Sequence, residues 1–506
     1  MAGTDTPMPP TVAARNRSRR SAQKMGRTPK AEAAILHTAG RGGNMASLKL
    51  QFSNQSGVAP SQVSIGFVPG ASNDGFDIKS NQDQTALKPL NIAGDGNYPF
   101  AGHWYSLADL VEGVTISAFS GRVYVAYGSA WAVQRKSYEP AQAVTDPNFF
   151  LRYDKMEMTF TGQAADVANL TSIDYWSIPL TLTTTWRGQA VQTVAGLLGN
   201  TTAQDVFDAL DTLTTPPVSG VVGPGGVDGA PLPALVPGQF QQYPGGPAPG
   251  SAFARIIGPS SYPPIAPTVA LPVMPYDIWT AYLGNLLEWF GPGTPAGKNV
   301  PTLGNGTIAN IAGNFGGVGP NPPSTGPLSP QAYALTASID SNLDITLSGT
   351  LGGVAGTTTM LYKRADLSNP SGIYGGNTPF YLNNAGSSTN PGNDVYGWVG
   401  GDLFSGLNIG AVGSQTTVGN VHGVFPPAMV GSLPSQTWFG IPGSFFFAGL
   451  QPTTYYNQWA AALAPLSQAY NFAYSDRFAA VFASLDPGKV DTLTLTLEPA
   501  TVTMAA

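Results

Sequence analysis

Leucine alternates with threonine through DTLTLTL (491–497), and another alternating run, LKLQFSN, begins at Leu48. Successive side chains on a strand point to opposite faces, so this period puts Leu493, Leu495 and Leu497 on one face and threonines on the other. A strand with one apolar face must bury it against a second layer. With such strands near both ends of a 506-residue chain, the ends are expected to pair and close an antiparallel sandwich or barrel.

The interior of the chain carries further runs of the same period. QVSIGFV (62–68) follows LKLQFSN across an Asn-Gln-Ser-Gly turn, and 113–131 reads as a hairpin turned at Ser120-Gly121. Residues 153–160 place Met156, Met158 and Phe160 on one face and Lys155, Glu157 and Thr159 on the other. Residues 172–182 read as a strand that Pro179 confines to an edge or a bulge. Helices are predicted after Thr202, which can cap one, over 277–290 and over 455–466. Residues 333–362 return to strand alternation. Residues 216–251 and 300–330 are rich in Gly and Pro or Asn and lack periodicity, and 365–445 show little regular pattern. The expected class is mainly β, a sandwich or barrel beside a second, mixed α/β subdomain. The expected division is a tail (1–47), a β part carrying the acid pair (48–190), helices with Gly/Pro-rich insertions (191–330), and a mixed part whose last strand returns to the sandwich (331–506).

Composition narrows the chemistry. The chain has no cysteine and three histidines, which excludes disulfides and thiolate catalysis. Charged residues are 10% of the chain, and Gly (62) and Pro (45) are abundant, as in loop-rich proteins with neutral polar surfaces. No apolar run reaches the roughly 18 residues that span a bilayer, so no membrane partner is expected. The glycines at 223–226 lack the Lys-Ser/Thr and strand–helix setting of a phosphate loop, and no cofactor or metal is expected. Residues 1–48 hold eight Lys or Arg against Asp5 and Glu32, a net +6, which leaves −12 on the remainder of a chain of net −6. This arm could meet nucleic acid, but no aromatic residues are interleaved for base stacking. A disordered leader, or a natural start at Met45, is the plainer reading. No apolar stretch follows Arg19-Arg20, so a signal peptide is poorly supported. Oligomeric state is not legible.

A pair of carboxylates is the catalytic machinery that remains. The stretch 152–182, RYDKMEMTFTGQAADVANLTSIDYWSIPLTL, sets Glu157 and Asp174 on what read as neighbouring strands. Glycoside hydrolysis needs one carboxyl group to protonate the leaving oxygen and another to activate water or attack. By spacing alone the two acids read first as solvated surface charges.

Four segments in order, GRVYVAYG (121–128), YDKMEMTF (153–160), ANLTSIDYWSIPL (168–180) and YNFAYSDR (470–477), resemble the β-1,3-glucanases of glycoside hydrolase family 64, of the thaumatin-like superfamily. The resemblance runs from about Leu48 to Leu497. It implies a β-sandwich or barrel beside an α/β subdomain, a groove that holds β-1,3-glucan, and inverting, endo-type cleavage by a secreted enzyme. It places Glu157 as general acid, Asp174 as general base and Thr159 as a sugar contact. Trp176, Asp394, Trp398, Trp438, Tyr474 and Asp476 are further candidates for sugar contacts. For the tryptophans and Tyr474, as for Trp104 and Trp131, core packing is the first reading. Two departures stand out: Asp166-Val167 where the family carries an aromatic residue, and Ser475 where a second acid is common. Asp174 also shares strand parity with Trp176, Ile178 and Leu180. An acid at the end of an apolar face has a raised pKa, which suits an acid better than a base. A glucan-binding protein without catalysis, and a structural β-sandwich with a basic arm, remain open.

Overall fold

The computed structural model describes residues 46–70, 75–90, 103–128, 130–131, 148, 151–211, 255–261, 277–294, 303, 306–315, 331–352, 354–383, 395–419, 427–441, 446–447, 455–478 and 480–502. Most of the basic tail (1–45), the 216–251 stretch and Asp394 lie outside them.

The strands before the first helix are β1 (Leu48–Asn54), β2 (Val63–Pro69), β3 (Asp77–Ser80), β4 (Trp104–Ser106), β5 (Val114–Tyr127), β6 (Arg152–Phe160), β7 (Val167–Leu170), β8 (Tyr175–Trp176), β9 (Leu180–Trp186) and β10 (Gln189–Val194). Then come α1 (Ala203–Asp211), β11 (Ile256–Ile257), α2 (Asp277–Phe290), β12 (Thr307–Phe315), β13 (Gln331–Ile339), β14 (Ile345–Leu351), β15 (Thr358–Tyr362), α3 (Arg364–Leu367) and β16 (Tyr381–Leu382). The rest are α4 (Val395–Ile409), β17 (Thr417–Val418), β18 (Ala428–Met429), α5 (Ser435–Trp438), α6 (Gln458–Leu463), β19 (Phe482–Ser484) and β20 (Thr492–Leu497). The class is mainly β, as expected. Among the described residues no helix is long and apolar enough to cross a membrane.

One hydrogen-bonded path runs β10-β9-β20-β1-β5-β6-β7-β19, with β2 and β3 also paired to β5, and β4 to β2. The two ends of the chain do meet: β1 and β20 are parallel, with Leu50 opposite Leu493. The path nearly closes into a barrel. Gln192 on β10 donates its amide to Phe482 O and accepts from Ser484 N at 3.1 Å, which ties β10 to β19. Leucines of β1, β9 and β20, with Phe67, Met156, Met158 and Phe160, fill the interior. The alternation of β6 is the one expected, so Lys155, Glu157 and Thr159 point outward.

Several local expectations are corrected. Residues 113–131 are no hairpin: Ser120 and Gly121 lie within the single strand β5. Its first half pairs with β1 and β3, its second half with β2 and β6. Gly121 stands where β5 passes β2, and a Cβ there would lie 2.2 Å from Val68 O. Close approach to a distant strand, and not a turn, calls for this glycine. β1 and β2 do not pair with each other. The 172–182 strand is two pieces, β8 and β9, parted at Ser177–Pro179, and β8 leaves the barrel to pair with β11.

The second layer is an antiparallel sheet, β12-β13-β14-β15-β16, packed with α2 and α4 around Trp279, Tyr282 and Leu335. The 277–290 helix matches its expected bounds, the 455–466 helix shrinks to α6, and Thr202 caps α1 by exchanging bonds with Asp205. The sequence pattern missed α4. All of its residues except Trp398 are buried, so it shows no apolar stripe. Its glycines admit close neighbours: a Cβ at Gly400, Gly401 or Gly406 would meet Tyr362 Oη at 2.7 Å, the Tyr474 ring at 2.9 Å or the Trp438 ring at 2.3 Å.

If close passage fixes Gly121, then Gly121→Ala lowers unfolding free energy by roughly 1–3 kcal/mol, the usual cost of overpacking. Urea denaturation measures it, and a variant as stable as the wild type would argue for slack between β2 and β5.

Candidate active site

On the outer face of the barrel, the strands present neighbouring rows. Tyr124 of β5 stands beside Lys155 of β6, Arg122 beside Glu157, and Ser120 beside Thr159. β7 extends the middle row, with Asn169 opposite Glu157, and β19 adds Phe482 beside Asn169. At one end this face is sealed by aromatic rings: Tyr124, Trp131, Tyr153 and Tyr175 pack together, with Trp104, under the Arg255 guanidinium. Trp104 and Trp131 are therefore core. Beyond Tyr124 the face turns polar, and there the candidate acids sit.

Arg122 Nε donates to Glu157 Oε1 at 2.8 Å, with side chains 17% and 12% exposed. The Ser120 and Thr159 hydroxyls lie 2.9 Å apart in the next row. Asp174 belongs to no strand. It lies in the bend before β8, its carbonyl accepting from Gly258 N, while Ser260 Oγ donates to Ile173 O. On the other side, Ser172 N donates to Tyr470 O. The bend is thus gripped from both sides, and its carboxylate meets Lys155 Nζ at 2.8 Å. Burial by itself would raise the Asp174 carboxyl. The charge and hydrogen bond of Lys155, then Arg122 and Ser260, outweigh it and hold the group below the usual carboxylate range. This overturns the raised pKa expected from strand parity, because the bend takes Asp174 off the apolar face of β8 and β9.

The structure brings Glu157, Asp174 and Thr159 to one face, together with Arg122 and Lys155, which were not singled out from the sequence. The signal for Lys155 was present, since it lies two residues from Glu157 on the same side of the strand. Asp476 approaches from the second part of the chain. Burial raises its carboxyl, and it shares a hydrogen bond with Tyr470, whose hydroxyl is raised by burial, by Asp476 and by the nearby charge of Glu157.

The other candidates lie elsewhere. Trp176 is 2% exposed and packs with Val206, Phe207 and Trp459, so it has no ring face open to a sugar. Trp438 is fully buried beside Gly406, and its Nε1 donates to Val430 O. Both are corrected to core residues. Trp398 is half-buried, with the Arg477 guanidinium 3.4 Å from its ring centre. Tyr474 takes a left-handed backbone (φ 69°), stacks on Phe404 and donates to Gly376 O. Asp402 is buried inside the second part, bonded by Tyr333, Ser435 and Arg477. Among the described residues no group of three or more acids or histidines stands ready to hold a metal ion.

Behind the site, the fully buried Asp154 accepts from the amides of Lys155, Ser177 and Ile178. Burial pushes its carboxyl from 3.8 up to about 7 in spite of these donors. A raised folded-state value means that its stabilising contribution is full below pH 3.8 and is lost as pH rises through about 7. Asp174 runs the other way, its contribution being lost only as pH falls below the usual carboxylate range. At about 1.4 kcal/mol per pK unit, Asp154→Asn is expected to flatten the fall in unfolding free energy between pH 5 and 8 by roughly 2–4 kcal/mol. Urea titrations at several pH values read this directly, and parallel wild-type and variant curves would mean that Asp154 is ionised throughout.

No protein of curated function matches the chain. Among solved structures it is similar to a laminaripentaose-producing β-1,3-glucanase in complex with laminaritetraose, at 16% identity and TM-score 0.49, covering 90% of this chain and 99% of that one. It is also similar to a β-1,3-glucanase domain from Clostridium beijerinckii, at 11% identity and TM-score 0.46 with the same coverage of both chains. A laminaripentaose-producing β-1,3-glucanase from Paenibacillus barengoltzii follows at 14% identity and TM-score 0.41, covering 90% of this chain and 75% of that one. The family model of the glycoside hydrolase family 64 β-1,3-glucanases matches residues 46–248. That span holds β1 to β10 and both facing acids, and over it the chain is similar to the β-1,3-glucanases of glycoside hydrolase family 64.

Proposed function

We propose that this chain cleaves β-1,3-glucan within the polysaccharide and with inversion. Glu157 protonates the departing glycosidic oxygen and Asp174 takes a proton from the attacking water. The family match over residues 46–248 supports hydrolysis of β-1,3-glucan; the residue roles and the stereochemistry are the further step. The observation that carries them is the unequal surroundings of two carboxylates on one outer face of the barrel. Lys155 holds Asp174 in its charged form, which a base requires. Lys155 and Glu157 are two residues apart on β6, with Cα atoms about 7 Å apart. Asp174 reaches in beyond Lys155, and Arg122 bears on both acids. Cations standing between the carboxylates favour the wide separation, roughly 6.5–9.5 Å, that leaves room for a water in inverting enzymes. The acid role asks Glu157 to take up a proton and Arg122 to yield its bond when glucan fills the face. Internal cleavage rests on the resemblance of the four motifs.

Release of reducing sugar from laminarin tests this. Wild type is expected to release it, and Glu157→Gln and Asp174→Asn to lose roughly 10²–10⁴-fold in rate. Proton NMR of the first product should show the α-anomer, and early products should be oligosaccharides of several sizes. Wild-type binding without release would favour a glucan-binding protein. Equal rates in all three proteins would remove the residue assignment, and a β-anomer formed first would remove inversion.

A further inference from the structure

β6 carries three buried charges, Arg152, Asp154 and Lys155, and the last of them meets Asp174. The side chain of Lys155 is 4% exposed, and its ammonium lies 2.8 Å from Asp174 Oδ2 and 5.0 Å from the centre of the Tyr175 ring. An apolar side chain could fill this place without stripping a cation of water. The ammonium instead stands where the site has least other support. Asp174 sits in a bend, outside the ladder that fixes Glu157 between β5 and β7.

The rest of β6 works on the same segment from its other face. Arg152 Nη2 donates to Ser177 O, and Asp154 accepts from Ser177 N and Ile178 N. These bonds locate the backbone beyond Asp174 but do not touch its carboxylate. The groups that do face the carboxylate are Lys155 from β6, Arg122 from β5 and Ser260 from the turn after β11. Arg122 is engaged with Glu157. Around them stand Tyr124, Tyr153, Tyr175, Arg255 and Asp154, whose charges or hydroxyls bear on one another, and Glu157 beyond Arg122.

We propose that Lys155 is the positioning residue for the base: by binding Asp174 Oδ2 it turns Oδ1 toward the attacking water and keeps the carboxylate charged until the step occurs. This rests on the reading of Asp174 as base. In that step the water oxygen bonds to the anomeric carbon, its proton passes to Asp174, and Glu157 gives its proton to the departing oxygen. One water is consumed, and the two carboxyl groups exchange protonation states. Once protonated, Asp174 no longer balances the Lys155 ammonium, so the pair favours return of that proton to solvent and resetting of the site.

The test compares wild type, Lys155→Met, Lys155→Arg, and Lys155→Met in an Asp174→Asn background, each checked for folding by near-ultraviolet circular dichroism. Lys155→Met is expected to lower kcat on laminarin roughly 10–100-fold with KM within about twofold, and to move the acid limb of kcat/KM up by about one pH unit. Lys155→Arg should recover part of the rate and of the limb. In the Asp174→Asn background the Met substitution should add almost nothing. Carbon-13 NMR of labelled aspartate carboxyls, a readout independent of turnover, should show Asp174 titrating at higher pH in Lys155→Met than in wild type. An unmoved acid limb and an unmoved Asp174 titration in a folded, slower variant would make Lys155 merely structural. An inactive wild type would overturn the base assignment on which the proposal rests, whereas an active wild type with an unmoved limb would overturn the role of Lys155 alone.

Discussion

A lysine ammonium that is 4% exposed has few places to go. Taking a cation out of water costs several kcal/mol, and the cost is offset only by an opposite charge with good geometry. On β6 the ammonium of Lys155 therefore dictates where Asp174 must come. Asp174 lies in a bend with no ladder of its own, so the bend is brought up to the barrel by bonds at Gly258, Ser260 and Tyr470 and fastened by the ion pair. The neighbouring ion pair, Arg122 with Glu157, lies within one strand pairing and needs no such help. One acid is held by the sheet and the other by charge.

Where the sequence was legible, the signal was local. Period two located β1, β6 and β20 and told which side chains face outward, because a half-buried strand exposes its parity in the order of its residues. Helix capping was equally local at Thr202. What failed depended on contacts distant in the chain. Ser120-Gly121 resembles a turn as a dipeptide, yet the constraint on Gly121 comes from Val68 on another strand. Asp174 was read with the apolar face of Trp176, Ile178 and Leu180, and Lys155, some twenty residues earlier, reverses the direction of its shift. Trp176 and Trp438 have the ring type that stacks on sugars, but ring type does not say which faces are already covered.

The second part of the chain shows the same limit in another form. α4 is wrapped on all sides, so its residues carry no stripe, and four glycines within it argue against a helix on propensity. Tertiary contact overrides that preference. Tyr362, Tyr474 and Trp438 press against the bare positions, and Asp402, inside the same helix, is bonded by Tyr333, Ser435 and Arg477. Arg477 also covers Trp398 and stands next to Asp476, which shares a hydrogen bond with Tyr470 beside the acid-bearing strands. A continuous set of polar contacts thus joins the second core to the barrel face.

The parallel pairing of β1 with β20 bears on how the molecule is made. Leu50 meets Leu493, so the strand that begins the barrel waits for almost the whole chain to leave the ribosome before its partner exists. Until then β1 offers an unpaired edge, and β9 lacks the neighbour that separates it from β1. Contacts this far apart in sequence slow folding and lengthen the time during which apolar strand faces are uncovered. Leu48 and Leu50 of the waiting strand β1 are buried in the finished barrel but lack the leucine face of β20 before closure. Production of this protein should therefore depend on conditions that protect a late-closing barrel, such as slow synthesis, low temperature or chaperone supply.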